Sequence, residues 1–298
     1  MYFLISHTHI SLIYLVSLGF FVGILGGFFG VGGSFLAGPA LFAMGLPMNY
    51  VVGTDLAHIV GKSIVAARRH HALGNVDIKL GSIMMLGTLA GVEVGAQGIE
   101  WLKSRFHVDL VVGVTMIGVL VCISVFTGWE SWRSRNSGAR GKTDHSSVGH
   151  ISRSIQRIHL FPMINLPVSG IPRISLWVII GLSFVSGVFS GFLGGGAGYI
   201  RMPFLVYLLG VPTHVAVGTD LFEVIVSAGY GTLTHALKGN VDIMIALVMH
   251  TGAALGAQIG ALTTERFTGP NIRLAFVPLP FVGAVVLAYS LLTGGHAR

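Results

Sequence analysis

Apolar residues run almost unbroken for about 20 positions, the length that spans a bilayer, at eight places in this chain. In the first part these are roughly 10–29, 50–67, 78–102 and 108–126, and in the second part 174–193, 215–235, 243–262 and 272–292. Two shorter apolar pieces, 34–46 and 198–210, each follow a glycine cluster and are too short to cross comfortably alone. The pattern predicts an all-α polytopic membrane protein with about eight long transmembrane helices and two half-helices. Between the halves, 129–173 carries Arg133, Arg135, Arg140, Lys142, Arg153, Arg157 and Arg173 among Ser, Gly and His, with no sustained apolar period. It reads as a basic cytoplasmic linker, partly without order, with a short surface helix over 151–160.

The chain is also internally repeated. "VVGTDL" at Val51–Leu56 returns as "AVGTDL" at Ala216–Leu221, 165 positions on. The same offset pairs Pro47 with Pro212, His70 with His235, Asn75-Val76-Asp77 with Asn240-Val241-Asp242, and Gly87, Gly91 and Gly95 with Gly252, Gly256 and Gly260. One position out of step, "GFFGVGGSFLAGPAL" from Gly27 matches "GFLGGGAGYIRMPFL" from Gly191. Such self-similarity divides the chain into a first repeat (1–128), the linker (129–173) and a second repeat (174–298). Copies are inverted when each contains an odd number of crossings. Counting the short pieces as crossings makes five per half, and the inverted arrangement is the favoured one.

The glycine-rich break followed by proline, the "GTDL" turn, and "LGNVD" or "KGNVD" opening the next helix occur twice, in the same order. In this the chain resembles the sulfite exporter TauE/SafE family of bacterial membrane transporters, over both halves. The resemblance implies a secondary transporter of small sulfur-containing anions such as sulfite, sulfoacetate or related organosulfonates, in the bacterial inner membrane. One difference stands out: family members often carry a small polar residue where this chain has Asp55 and Asp220.

Composition narrows the classes further. With 53% hydrophobic and 10% charged residues, and a mean hydropathy of +0.80, the chain cannot present a soluble surface. The N-terminal apolar segment has no cleavage-type signature and reads as a retained first helix. A net charge of +7 could suggest nucleic acid, but the basic excess sits in the linker and at helix ends, as membrane topology requires. The partners expected are therefore the lipid bilayer and a small anion, with no nucleic acid, and further copies of the chain remain an open question. Thirteen histidines and one cysteine come with no cluster at ligand spacing, so neither a metal nor a cofactor is expected.

Candidate chemistry gathers around the breaks and the acidic turns. Gly32, Gly33 and Ser34, and Gly196, Ala197 and Gly198, sit where the backbone can leave helical geometry and a new helix can offer free N–H groups to an anion. Arg201, whose counterpart is Ala37, is the first candidate for charge recognition; the alternative is an arginine that snorkels to the interface. Gly53, Thr54 and Asp55, with Gly218, Thr219 and Asp220, either cap interrupted helices or bind a coupling Na⁺ or proton. Lys62, Glu93 and Gln258 are further intramembrane polar positions, as are His58 and its counterpart Glu223. The regularly spaced Gly87, Gly91 and Gly95 and their partners read as close-packing surfaces, and Asp77 and Asp242 as ordinary helix caps. Because the cell interior is negative, anion efflux gains about 2.3 kcal/mol per charge per 100 mV, so export need not require a coupling ion. Ion-coupled uptake is the alternative. An intramembrane diaspartyl protease is a remote third reading, since two membrane aspartates can also share a proton.

Overall fold

The computed structural model describes residues 2–105, 107–136, 150–158 and 160–293. Its first half comprises a hairpin β1 (Tyr2–Phe3) and β2 (Thr8–His9), then α1 (Leu12–Phe29), α2 (Ser34–Ala43), α3 (Met48–Ala72), α4 (Ile78–Lys103) and α5 (Val108–Asn136). After α6 (His150–Gln156), the second half repeats the order. It has a hairpin β3 (Met163–Leu166) and β4 (Ile171–Ser175), then α7 (Leu176–Leu193), a tight turn Gly195–Ala197, α8 (Gly198–Pro203), a π-helical segment Phe204–Leu209, α9 (Thr213–Leu237), α10 (Ile243–Thr264), α11 (Gly269–Phe276) and α12 (Pro278–Leu292).

Among the described residues, six spans are long and apolar enough to cross a membrane: α1, α4, most of α5, α7, α10, and α11 with α12 as one stretch. Two of the eight expected long segments, now α3 and α9, fall outside this set. They are long enough, since 25 residues make about 38 Å of helix, but they carry Asp55 and Lys62, and Asp220 and Glu223, all buried. Packing explains how they tolerate them. A succession of pairwise contacts runs α1, α10, α3, α9, α4, α7, and places α3 and α9 in the middle, sheltered by the apolar spans. Phe21, Leu86, Val114, Val125 and Leu255 are exposed on the outer helices, as a lipid-facing surface requires.

That succession reads the same from either end when the halves are exchanged. The outer pairs are built on the regularly spaced glycines. A Cβ on Gly91 would lie 2.2 Å from the Phe184 carbonyl oxygen of α7, and one on Gly256 would lie 2.1 Å from that of Phe20 in α1. At these places only glycine lets the two backbones touch. His70 and His235, both buried, place Nε2 at 3.1 and 2.9 Å from the carbonyl oxygens of Gly27 and Gly191 in the same helices.

Three local features depart from expectation. Helix α5 does not stop near Phe126 but continues to Asn136, into the stretch read as linker; at 29 residues it is about 44 Å long and outruns the roughly 30 Å apolar core. The hairpin β3–β4 overlaps the end of 129–173, and its bulged register, Met163 with Ser175 and Leu166 with Ile171, shows no alternation long enough to be read as strand. Finally, the last span bends at Val277, where Pro278 and Pro280 remove two backbone donors. The short helix expected over 151–160 is present as α6. Arg140 and Lys142 lie outside the described residues.

The two hairpins are themselves counterparts. Ser6, in the first, donates through Oγ to Asp242 Oδ2 at 2.7 Å, and Ser169, in the second, donates to Asp77 Oδ2 at 2.6 Å. Asp77 and Asp242 cap α4 and α10 as expected, accepting from Leu80 N and from Met244 and Ile245 N. Each hairpin therefore locks onto a helix start in the opposite half.

Candidate functional site

Both breaks are made by clustered glycines in the left-handed region, which side chains rarely adopt. Gly30, Gly32 and Gly33 have φ of 76, 67 and 74°, and Gly194, Gly195 and Gly196 have 82, 74 and 66°. Ala197, at φ 49°, is the one side chain held in this conformation within either break. Each break turns the chain from a long helix into a short buried one, and Pro39 and Pro203 lie inside those short helices.

The breaks pack across the repeat boundary. A Cβ on Gly30 would meet Val217 Cα at 2.6 Å, beside the Asp220 turn, and one on Gly194 would meet Val52 Cα at 2.9 Å, beside the Asp55 turn. The breaks also touch each other, since Ser34 Oγ donates to the Gly195 carbonyl at 3.0 Å, and a Cβ on Gly32 would stand 3.2 Å from that same oxygen. Gly53 and Thr54, and their counterparts, serve a different purpose. A Cβ on Gly53 would lie 2.3 Å from the Asn240 carbonyl oxygen and one on Gly218 would lie 2.1 Å from that of Asn75. Thr54 Oγ1 accepts from Asp242 N and Thr219 Oγ1 from Asp77 N, each at 2.9 Å. These four residues tie the start of α3 to the end of α9, and the reverse.

The two aspartates occupy different surroundings. Asp55 Oδ1 lies 3.0 Å from His58 Nδ1, whose N–H is directed better at the Asp55 carbonyl oxygen, 3.1 Å away. Both neighbours of Nδ1 are acceptors, so the proton of a neutral ring belongs there and Nε2 accepts from Lys62 Nζ at 2.8 Å. Acid, imidazole and amine thus form one chain along a single face of α3. Asp220 is instead paired with Arg201 of α8, Nη1 to Oδ1 at 3.2 Å. The same guanidinium also holds Glu223, one turn further along α9, and donates to the Gly196 carbonyl. Ser186 receives Arg201 Nε at 3.4 Å, and Ser227 donates to Glu223 Oε2 at 3.1 Å. The side chains of Asp55, His58, Arg201, Asp220 and Glu223 are at most 2% exposed. A narrow recess of about 10 Å³, room for about one water at most, is lined by Met84, Leu182, Ser183, Phe204, Leu205 and Leu209 and reaches Arg201 from between α4, α7 and the π-helical segment.

The structure thus gathers Gly32, Gly33, Ser34, Asp55, Lys62, Gly196, Ala197, Gly198, Arg201 and Asp220 about the meeting of the two breaks. Glu93 and Gln258 lie apart. Glu93 accepts from Gln97 and from Tyr230, each at 3.0 Å, and approaches Lys238 on the periphery, while Gln258 is exposed on α10. His58 and Glu223 enter the site as direct partners. His58 could have been read from sequence, because it and Lys62 follow Asp55 at helical spacing; the pairing of Arg201 with Asp220 and Glu223 joins separate helices and left no such signal. Among the described residues, no group of three His, Cys, Asp or Glu side chains could hold a metal ion.

Six apolar spans around an interior that holds buried charges define the architecture of a multi-pass membrane protein. The family model described as Sulfite exporter TauE/SafE matches residues 15–287, and the chain belongs to that family. It is similar to the "Probable membrane transporter protein YunE" of Bacillus subtilis (strain 168), with 26% identity over 88% of this chain and 92% of the relative. The "Probable membrane transporter protein YjnA" of the same organism is 24% identical over 93% and 96% of the two chains. A "Probable membrane transporter protein" from Xylella fastidiosa (strain Temecula1) reaches 37% identity, over 38% of this chain and 44% of its own. No solved structure matches the chain. The protein is accordingly a membrane transporter and not an enzyme, which disposes of the protease reading; the two aspartates are also paired separately, each with cationic or imidazole partners of its own half.

Proposed function

We propose that this transporter exports a small sulfur-containing anion, such as sulfite, sulfoacetate or a related organosulfonate, across the bacterial inner membrane by alternating access. The observation that carries the reading is the crossed packing: each glycine break lies against the acidic turn of the other half, and the breaks meet at Ser34 and Gly195. A movement of one half against the other would open that meeting point to either side. Arg201 is the anion-recognising group, and the break residues Gly32, Gly33, Ser34, Gly196, Ala197 and Gly198 supply backbone around it.

The halves are inverted in this reading, with the basic 129–173 stretch in the cytoplasm. Support comes from α3 and α9, which are equivalent in sequence yet run antiparallel: Gly53 near the start of α3 lies against His235 near the end of α9, and Gly218 lies against His70. Cysteines placed at Gly74 and Gly239, both in exposed turns, should then label from opposite faces of the membrane; labelling from one face would exclude inversion.

Transport itself is tested in proteoliposomes preloaded with sulfite, sulfoacetate, taurine, thiosulfate or sulfate. Faster release than from protein-free vesicles is expected for at least one sulfonate or sulfite, and its absence across the panel would sink the proposal. A second reading, uptake coupled to H⁺ or Na⁺, is favoured by one observation, the close succession of Asp55, His58 and Lys62 along one face of α3. Concentrative entry of substrate driven by an imposed inward H⁺ or Na⁺ gradient, with no release from preloaded vesicles, would select it.

A further inference from the structure

Around Arg201 the charges do not balance. One guanidinium serves two carboxylates, Asp220 and Glu223, and all three side chains are buried. Asp220 Oδ2 and Glu223 Oε1 have no hydrogen-bond partner although each is shut off from solvent. An acceptor in that position is costly unless a proton or cation joins it. The narrow recess that ends at Arg201 marks the side from which a small oxyanion would reach the guanidinium once the packed helices part, and such an anion cannot be held beside two ionised acids without strong repulsion.

We infer that Asp220 and Glu223 together take up one proton when an anion engages Arg201, so that anion and proton load as a neutral pair. This rests on the reading of Arg201 as the anion site. On loading, one carboxylate leaves the guanidinium, an anion oxygen replaces it, and the released carboxylate receives a proton from water. With both acids ionised the empty cluster carries one net negative charge. The loaded cluster, with Arg201 and one acid ionised, the other acid neutral and a monovalent anion bound, carries the same. The buried site therefore sees no change in charge across the transport cycle. Loading as a neutral pair also removes the help of the membrane potential, so the direction of flux follows the gradients of substrate and proton.

Other titratable groups on elements packed against α9 are Asp55, His58, Lys62 and His70 of α3, Asp77 at the start of α4, Tyr199 of α8, Tyr207 of the π-helical segment and Arg273 of α11, which donates to Thr213 Oγ1 at the start of α9. The first three neutralise one another within their own chain, His70 bonds the Gly27 carbonyl, and Asp77 is engaged by Ser169 and Leu80 N. Tyr199 is a buried neutral phenol lying within electrostatic reach of Asp55. Proton uptake on anion binding is therefore assigned to the Asp220–Glu223 pair, which titrates as a unit.

The test uses the detergent-solubilised full chain and methanesulfonate, a monovalent organosulfonate whose charge is constant between pH 6 and 8. Because the loaded state holds one more proton than the empty one, affinity should rise as pH falls, by up to about tenfold per pH unit. The binding enthalpy should vary with the ionisation enthalpy of the buffer in the proportion for one proton taken up. Glu223→Gln leaves a one-to-one ion pair, and binding should persist with its pH slope removed; Asp220→Asn should behave alike and serves if the first variant does not fold. Binding that is flat with pH and indifferent to buffer overturns the inference and leaves the anion site standing. A dependence on Na⁺ in place of pH, or a pH slope unchanged in both variants, overturns it too. If the parent binds none of the anions at any pH, the inference and the anion-site reading fail together.

Discussion

At Asp55 the balancing cation rides on the same helix, two turns further on, while at Asp220 it comes from the short helix beyond the glycine break. The backbones of the two turns are close counterparts: both receive a crossing hydrogen bond through a threonine, and both press a glycine against an asparagine carbonyl of the other half. The electrostatics have diverged. At the position one turn after the aspartate, His58 stands opposite Glu223; two turns after it, Lys62 stands opposite Ser227; and in the short helix Ala37 stands opposite Arg201. The two turns share one backbone arrangement and differ in the groups that balance their charge. A displacement of α8 would split the Arg201 ion pairs, whereas the Asp55 chain, carried on one rigid helix, would survive it.

The sharpest way to break that comparison is to remove each cation. Arg201→Met leaves two buried carboxylates facing each other, and losing one partner from a buried ion pair costs about 3–5 kcal/mol. The expected result is a large fall in the thermal unfolding midpoint in detergent, partly recovered by adding Glu223→Gln, which removes one of the stranded charges. Lys62→Met should cost less, about 2–3 kcal/mol, because His58 can take a proton and keep Asp55 paired. Equal losses at the two positions would show that the divergence in partners has no energetic weight.

Much of this frame was legible in the sequence, because duplication writes itself as a fixed offset and membrane spans write themselves as apolar length. The left-handed glycine breaks and the caps at Asp77 and Asp242 follow from local signals. What the offset cannot express is contact. It pairs Gly30 with Gly194 as equivalents, yet in space Gly30 lies on Val217 and Gly194 on Val52, because the halves clasp each other. For the same reason Arg201 read as a free anion receptor, when two acids on α9 already hold it. The hairpins escaped because strands of two to five residues carry too little pattern, and their role, a serine from each reaching Asp242 or Asp77, joins positions 236 and 92 residues apart.

The crossing hydrogen bonds test the shared frame rather than the divergent charges. Thr54→Val strands the buried N–H of Asp242, and Thr219→Val strands that of Asp77, at about 1–2 kcal/mol each. Similar shifts in unfolding midpoint are expected for the two variants, in contrast to the unequal cation pair. A clearly larger loss on one side would mean that the halves differ in their clasp as well as in their charges.

The smallest expected effect falls at the turns after α3 and α9. Gly74 and Gly239 have φ of 75 and 71°, and a Cβ on either would meet nothing within 4 Å. Substitution by alanine at these positions therefore measures the backbone alone. A side chain in the left-handed region costs about 1–2 kcal/mol, while alanine recovers about 0.4–1 kcal/mol by restricting the unfolded chain. The net loss should be about 1 kcal/mol or less and the same at both turns. Transport should be unaffected in either variant, since each turn lies beyond the elements that carry the charges. Gly53 and Gly218 offer the contrast within the same helices, because a methyl there would collide with a carbonyl at 2.3 or 2.1 Å. If Gly74→Ala or Gly239→Ala altered flux as strongly as a substitution at Gly53 or Gly218, the moving parts would have to include the turns, and the clasp between the breaks would no longer suffice as the place where the halves work on each other.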